Sequence, residues 1–558
     1  TFAKDKPLIG VNVKRTATKQ TEDGEGWRRV ASHEELYMKE ASGYPKLTKI
    51  RGKVSIRVRH PKKEPSLPEF FAESWTSKIA IARPDLLFIL DITAFKGYDI
   101  AGFAESHPGG AQLLALAVGR DATILFESHH IRNGVVDKVL KTLPRVDNCP
   151  TLFPDEEFPA PLDSPVYRKL QQRIRDEILA PLERTKGRLA TGRGGCLLDI
   201  AAVAAYFFAS LSFYVAYPSI MTGLLLGFAG YWSGTGLQHT ANHGGLCQSS
   251  YWNQFWGWFG SDVIIGKSSL EWRYHHTVSH HSYCNDVNRD QDVYTSFPLI
   301  RLDESQPWSW YHTFQPIYTP FIWPLLYLAA QIGDFINIFI HKASPGVQYN
   351  GITPIEVVLY VVGKFFHAGI TLGIPVYLHG WDKIWAPFVA YGCFGSFILC
   401  WFFMVSHNLD GLRPQQLSHL TQKDWGRWQI ETSATWGNVF WSFLSGGLNY
   451  QIEHHLFPGV AHNLYPLMQP IIKQECVNAG IRYNGFDGYS SIAPITFKMF
   501  DFLRKMSLNP SKTGNFRAWK IQMHFEIFIS KNLSSATAVC GVHPYLLVVK
   551  SFFKILFY

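Results

Sequence analysis

The sequence predicts a multidomain chain: a small soluble α+β domain, then an all-α domain of four transmembrane helices under a cytoplasmic, histidine-rich cap. Three observations predict it. Hydrophobic residues make up 47% of the 558 residues and charged residues only 17%, below the quarter usual for soluble domains. The mean hydropathy of −0.03 averages a polar first third with uncharged stretches about 20 residues long, enough to cross a bilayer. Histidines gather at the ends of those stretches. An aromatic content of 15% excludes a disordered, collagen-like or coiled-coil chain.

The net charge of +9 does not point to nucleic acid. Basic residues lie in the first hundred positions and beside apolar segments, not in one patch interleaved with aromatics. A membrane partner is expected and a nucleic-acid partner is not. The eight cysteines form no Cys-x-x-Cys pair, which favours a reducing compartment and excludes thiolate-rich zinc motifs.

Taken in order, 1–26 is a polar N-terminal segment and 27–150 a small soluble domain. Within that domain 37–85, basic and proline-containing, reads either as a long surface insertion or as an unspliced intron. A linker, 151–196, leads to the membrane domain, 197–505. The tail, 506–558, reads as a misassigned exon as readily as a functional segment. The stretches 200–217 and 219–238 carry no charge and are separated by Pro218 alone, so they form a helical hairpin through the membrane. Segment 357–378 carries one interior charge, Lys364, and 385–406 carries none. Arg184, Lys186, Arg188 and Arg193 precede the first span, so its approach is cytoplasmic. The apolar segment 316–340 has Pro316, Pro320 and Pro324 at every turn, which removes hydrogen bonds. It is expected to lie at the interface without crossing.

Between Leu86 and Arg145 the run GYDIAGFAESHPGG sets His107 at a tight turn, where Gly109 and Gly110 allow close approach of a flat ligand. DATILFESHH then offers His129 and His130 at the end of a helix. Two imidazoles could fill both axial positions of a haem iron, giving an electron carrier without an oxygen site. These segments resemble cytochrome b5, and WRRVASHEEL at Trp27 is similar to that family's first strand. The resemblance implies haem b held by His107 and His130, with His129 the adjacent competitor.

A second constellation begins at QHTANHGG. His239 and His243 are four apart, on one helix face, and can grip one metal. WRYHHTVSHHSYCND adds His275, His276, His280 and His281; QIEHH adds Gln451, His454 and His455. His407 closes the last span, where a histidine bonds a carbonyl as readily as a metal. Imidazole suits iron, copper, nickel or zinc. Up to eight imidazoles, from His239, His243, His276, His280, His281, His407, His454 and His455, exceed the four to six ligands of one ion, so two ions are expected. The boxes must meet on one side of the membrane. The chain between the second and third must therefore cross an even number of times, which 357–378 and 385–406 supply without 316–340.

Over roughly 150–505 the pattern resembles membrane fatty acid desaturases. The glutamine opening QIEHH, with the fused haem domain, is similar to the front-end subgroup. What the resemblance implies is an α+β cytochrome b5-like haem domain followed by an all-α four-helix transmembrane desaturase domain. Two non-haem irons would use O2 as co-substrate to insert a cis double bond into a polyunsaturated acyl-CoA or acyl-lipid chain. No catalytic side chains beyond the metal ligands are implied. Gln451, His275, Asn242 and Asp286 would stand one layer behind the irons. Electrons would come from NADH–cytochrome b5 reductase, and the location would be the endoplasmic reticulum membrane. Thr240 departs from the aspartate common in the first box. The second box is one residue longer than usual, which is similar to microbial and algal delta-5 enzymes acting on twenty-carbon chains. Delta-6 fatty acyl and delta-8 sphingolipid long-chain-base desaturases share the parts. A membrane-anchored haem carrier is the alternative of a different class, and would not need the histidine boxes.

Overall fold

In the computed structural model the described residues are 11–13, 38–40, 87–91, 96–100, 103–117, 120, 122–131, 135–147, 164–186, 192–349, 352–412 and 424–510. The expected first strand at Trp27, most of 37–85 and the tail beyond 510 lie outside them. The chain divides into two compact units, Thr1–Thr123 with Lys138–Phe158, and Ile124–Asp137 with Pro159–Tyr558.

In the first unit, Val11–Val13 pairs antiparallel with Met38–Glu40. Leu87–Asp91, Lys96–Asp99 and Arg145–Asp147 form an antiparallel sheet with the middle strand in the centre. The helix Ala111–Ala117 follows the HPGG turn and buries Ala111, Leu116 and Ala117.

The second unit is helical. Leu197–Ala216, Trp310–His341, Pro354–His379 and Trp381–His407 are long and apolar enough to cross a membrane. Ile220–Ser233 continues through Gly234–His239 to Thr240–Asn242. Its glycines make it less apolar but let it pack closely. A Cβ on Gly227 would lie 2.7 Å from the Tyr391 carbonyl oxygen, and one on Gly223 would collide with the Pro387 carbonyl. The two helices therefore meet backbone to backbone, as small residues permit in lipid. Gly227→Leu should separate them. Overpacking of this kind costs about 1–3 kcal/mol, so the melting temperature of the purified protein should fall; an unchanged melting temperature would contradict the contact.

The proline-rich segment qualifies as a span by length, yet its ends sit together. Before it, Gln306 Nε2 donates to Val293 O at 3.4 Å. After it, Ser344 Oγ donates to Gln291 Oε1 at 2.7 Å, and the Tyr294 hydroxyl donates to Pro345 O. Both ends are thus tied to the one-turn helix Gln291–Tyr294. A straight helix of 32 residues would be ~48 Å long, so the stretch folds back on itself. A 3₁₀ turn, Trp323–Leu325, interrupts it around Pro324. The chain therefore enters and leaves this stretch at neighbouring points.

A second hairpin, Ser250–Trp258 and Phe259–Ile265, turns at Gly266 (φ 80°) and returns through Ser269–Trp272. Its tip explains Lys364. That ammonium pairs with Asp334 at 3.4 Å, and Lys267 pairs with Asp334 at 3.2 Å and with Glu271 at 2.7 Å. Buried charge of this kind survives in a membrane only when paired.

Candidate metal centre

Two π-helical turns set the first two boxes. Gly234–His239 ends on the first ligand, and His243 N–H donates to His239 O at 3.2 Å. Arg273–His280 is also π-helical, and His281 N–H donates to His276 O. That five-residue hydrogen bond puts His276 and His281 on one face and absorbs the extra residue of the second box. His407 ends its span, and Gln451–Leu456 carries the third box. Glu453 anchors that helix, accepting from Thr435 Oγ1 at 2.6 Å and the Tyr483 hydroxyl at 2.7 Å. Burial raises the Glu453 carboxyl to about 6.

The donor atoms fall into two buried groups. His239, His243, His276, His281 and His454 form one; His280, Cys284, His407 and His455 form the other, with the atoms of each within 4.8 Å of one another. His276 Nε2 lies 3.1 Å from His239 Nε2 and 3.0 Å from His281 Nε2. Two nitrogens bound to one ion at about 2.1 Å and a right angle would stand ~3 Å apart. Both ring nitrogens of His243, Nδ1 of His281 and Nε2 of His280, His454 and His455 are buried with no hydrogen-bond partner. Such orphans are costly; two metal ions would satisfy Nε2 of His280, His454 and His455 and one nitrogen of His243, so the residues fit the implied pair of irons.

Three of the rings are held with Nδ1 engaged and Nε2 bare. Tyr465 OH donates to Val460 O at 3.1 Å, so it accepts from His454 Nδ1 at 3.0 Å and leaves Nε2 bare. His455 Nδ1 donates to Gln429 Oε1 at 2.8 Å. His280 Nδ1 faces Asp290 at 3.1 Å and Asp292 at 3.2 Å. Such partners orient ligating imidazoles. Burial, followed by neighbouring imidazoles, pushes His276, His281, His454 and His455 well below the usual range, so they are neutral donors. Burial also lowers His280, but Asp290 and Asp292 together raise it and the net shift is upward.

The remaining expected residues are placed differently. Gln451 Nε2 is 2.8 Å from His407 Nε2. His275 bonds Asp292 at 2.7 Å, away from both groups. Asp286 pairs with Arg289 at 2.7 Å and caps its own turn; Asp290 and Asp292 are the carboxylates that reach imidazoles of the second box. Asn242 is buried against Gly257 and its Nδ2 has no partner. Sequence reasoning missed Cys284, whose sulfur is 3.4 Å from His407 Nδ1. Its spacing of four from His280 was a usable signal.

Of the expected haem ligands, His107 stands in the first unit and His130 in the second. His107 Nδ1 faces Gly110 O at 3.3 Å, and His130 Nδ1 faces Phe126 O at 2.8 Å. In each ring Nδ1 is the nitrogen that faces a backbone carbonyl. A Cβ on Gly109 would lie 2.7 Å from His107 Cε1, so only glycine fits beside that ring. The glycine beside His107 and the bond that fixes its Nδ1 would suit a haem-ligating imidazole. The helix ending at His129 packs on the membrane unit. Tyr167 OH lies 3.0 Å from Glu127 O and 3.1 Å from Leu456 O, next to the third box. Gln171 Nε2 donates to Glu127 O at 3.0 Å. The His129 and His243 ring centroids are 5.8 Å apart.

A multi-pass membrane protein with two buried histidine groups at one end of its helices is an oxidoreductase of the di-iron membrane class. The chain belongs to the fatty acid desaturase family, whose profile matches 201–487, while the cytochrome b5-like heme/steroid binding domain matches 92–149. It is 37% identical to the acyl-lipid (7-3)-desaturase, chloroplastic, of Chlamydomonas reinhardtii over 74% of this chain and 80% of that protein. It is 30% identical to the acyl-lipid (8-3)-desaturase of Physcomitrium patens over 70% of this chain and 82% of that one. It is 27% identical to the delta(5) fatty acid desaturase A of Dictyostelium discoideum over 70% and 85%. The chain is accordingly a cytochrome b5-fused, O2-dependent front-end acyl desaturase.

Proposed function

We propose that the chain inserts a cis double bond at carbon 5 of a twenty-carbon polyunsaturated acyl chain carried on a lipid. The observation that carries the desaturase chemistry is the pair of buried imidazole groups, several of whose ring nitrogens have no hydrogen-bond partner. In this reading His239, His243, His276, His281 and His454 hold one iron, and His280, His407 and His455 the other, with Gln451 against His407. His107 and His130 hold haem b, reduced by NADH–cytochrome b5 reductase at the cytoplasmic face of the endoplasmic reticulum. The irons supply O2-dependent oxidation, which an unactivated C–H bond requires because it has no acidic proton. The protein's own residues keep His276, His281, His454 and His455 neutral and orient the rings of His280, His454 and His455.

Carbon 5 is supported by the longer second box and by relatives named as (8-3)- or delta(5)-desaturases. The lipid carrier is supported by the words acyl-lipid in the relatives' names. A second reading, a new bond at carbon 4 of a chain already unsaturated at carbon 7, is favoured by the 37% identity to a (7-3)-desaturase, and with it a plastid location. One experiment separates them. A yeast host expressing the chain is fed eicosatrienoic acid (8,11,14), a 7-unsaturated acid and linoleic acid in parallel, and double-bond positions are read by mass spectrometry. A new bond at carbon 5 in the first supports the proposal. Conversion of the 7-unsaturated acid alone supports the second reading. Conversion of linoleic acid to gamma-linolenic acid alone defeats both.

A further inference from the structure

Outside the two histidine groups, a third set of metal-type ligands converges where the chain enters the first span. Cys196 caps the Leu197–Ala216 helix and Asp199 lies in its first turn. His462 comes from the turn that follows the third box. Cys196 Sγ, a carboxylate oxygen of Asp199 and a ring nitrogen of His462 lie within 4.8 Å of one another. Some point therefore lies within ~2.8 Å of all three, about half an ångström outside the usual metal–sulfur, –nitrogen and –oxygen bonds.

The surroundings are those of a built site. Cys196 is 1% exposed and His462 3%. His462 Nε2 is buried with no hydrogen-bond partner, 3.6 Å from Asp199 Oδ1. Its other nitrogen, Nδ1, is fixed by Thr240 Oγ1 at 2.9 Å, the arrangement that orients a ligating imidazole. The Asn463 amide N–H faces Cys196 sulfur. The two ligand-bearing segments are tied by Ala461 N to Gly192 O at 2.7 Å and Asn463 Nδ2 to Gly195 O at 2.8 Å. Charge also balances. One thiolate, one carboxylate and one neutral imidazole neutralise a dication.

The geometry points to a third metal site, at Cys196, Asp199 and His462, for a zinc-type divalent ion with one coordination position left to water. Sulfur, nitrogen and oxygen ligands together suit this borderline-soft ion. The ion joins the start of the first span to the segment after the third box. Through Thr240, which follows His239, it also braces the first box. It carries no electrons.

The test is a metal count on the full chain, purified with its haem and non-haem iron and exposed to zinc. The expected result is one zinc per chain beside two non-haem irons. Cys196→Ser and Asp199→Asn should each lose that zinc while keeping both irons and the haem spectrum. Cobalt in place of zinc should give a thiolate-to-cobalt absorption band in the parent chain that Cys196→Ser lacks. Zinc matched by an equal shortfall of non-haem iron would place it in the histidine groups and overturn the site. So would a parent chain without zinc, or Cys196→Ser retaining it. Should Cys196→Ser fail to fold, Asp199→Asn and the cobalt band of the parent chain decide alone, and absence of the band overturns the proposal.

Discussion

His276→Ala is expected to abolish desaturation, by at least ~100-fold, and to strip iron from the first group. A substitution merely behind a ligand costs 10–100-fold in affinity or activity, and His276 is more central than that. Its Nε2 is within 3.1 Å of both His239 and His281 nitrogens, so removing it opens the middle of the set. Asp290→Asn should cost less, roughly 10–100-fold, because His280 keeps a hydrogen bond and Asp292 but loses one of the two anions beside it. Asp286→Asn should stay within about 2-fold, since that carboxylate serves only Arg289 and its own turn. Iron per chain and product per hour are measured for all three. Full activity in His276→Ala would remove the metal assignment of the group. Equal losses in Asp286→Asn and Asp290→Asn would remove the distinction between them.

The contrast between these two aspartates shows what a sequence can carry. His239 and His243 are four apart, and one helix face is visible in that spacing. Parity limited the crossings and left the proline-rich stretch out, and its two ends do return to Gln291–Tyr294. Asp290 lies ten residues from His280 across an irregular turn, so no period marks it, and Asp286 looked equally near. Lys364 stood out as a lone charge in an apolar helix. Its partner Asp334 is thirty residues away on a hairpin that folds only against the other helices, and local pattern cannot reveal it. Cys284 was legible in principle, being one helical turn from His280, but no thiolate is expected beside imidazoles of this kind. The packing of the His129 helix on the membrane unit depends on Tyr167 and Gln171, whose sequence positions say nothing about partners forty residues earlier.

His107→Ala and His130→Ala are each expected to bleach the low-spin haem spectrum, leave the non-haem iron in place and cut turnover by ~100-fold or more. Loss of one axial ligand removes the six-coordinate state that carries electrons. The choice of His130 over His129 rests on direction. Successive residues on a helix point about 100° apart. His129 turns towards His243, with its Nδ1 bonded to Leu125 O at 2.9 Å and its Nε2 buried without a partner. Burial, then His130, pushes its ring down to about 4, so it is neutral there. His129 is committed to that side, whereas His130 Nδ1 is held by Phe126 O, and His130 is therefore kept as the proposed haem ligand. His129→Ala should therefore keep the haem spectrum. Absorption spectra of the three variants, each with an iron count, decide the matter. A bleached His129→Ala beside an intact His130→Ala would move the axial ligand by one residue, and an intact spectrum in all three would show that neither helix end holds haem.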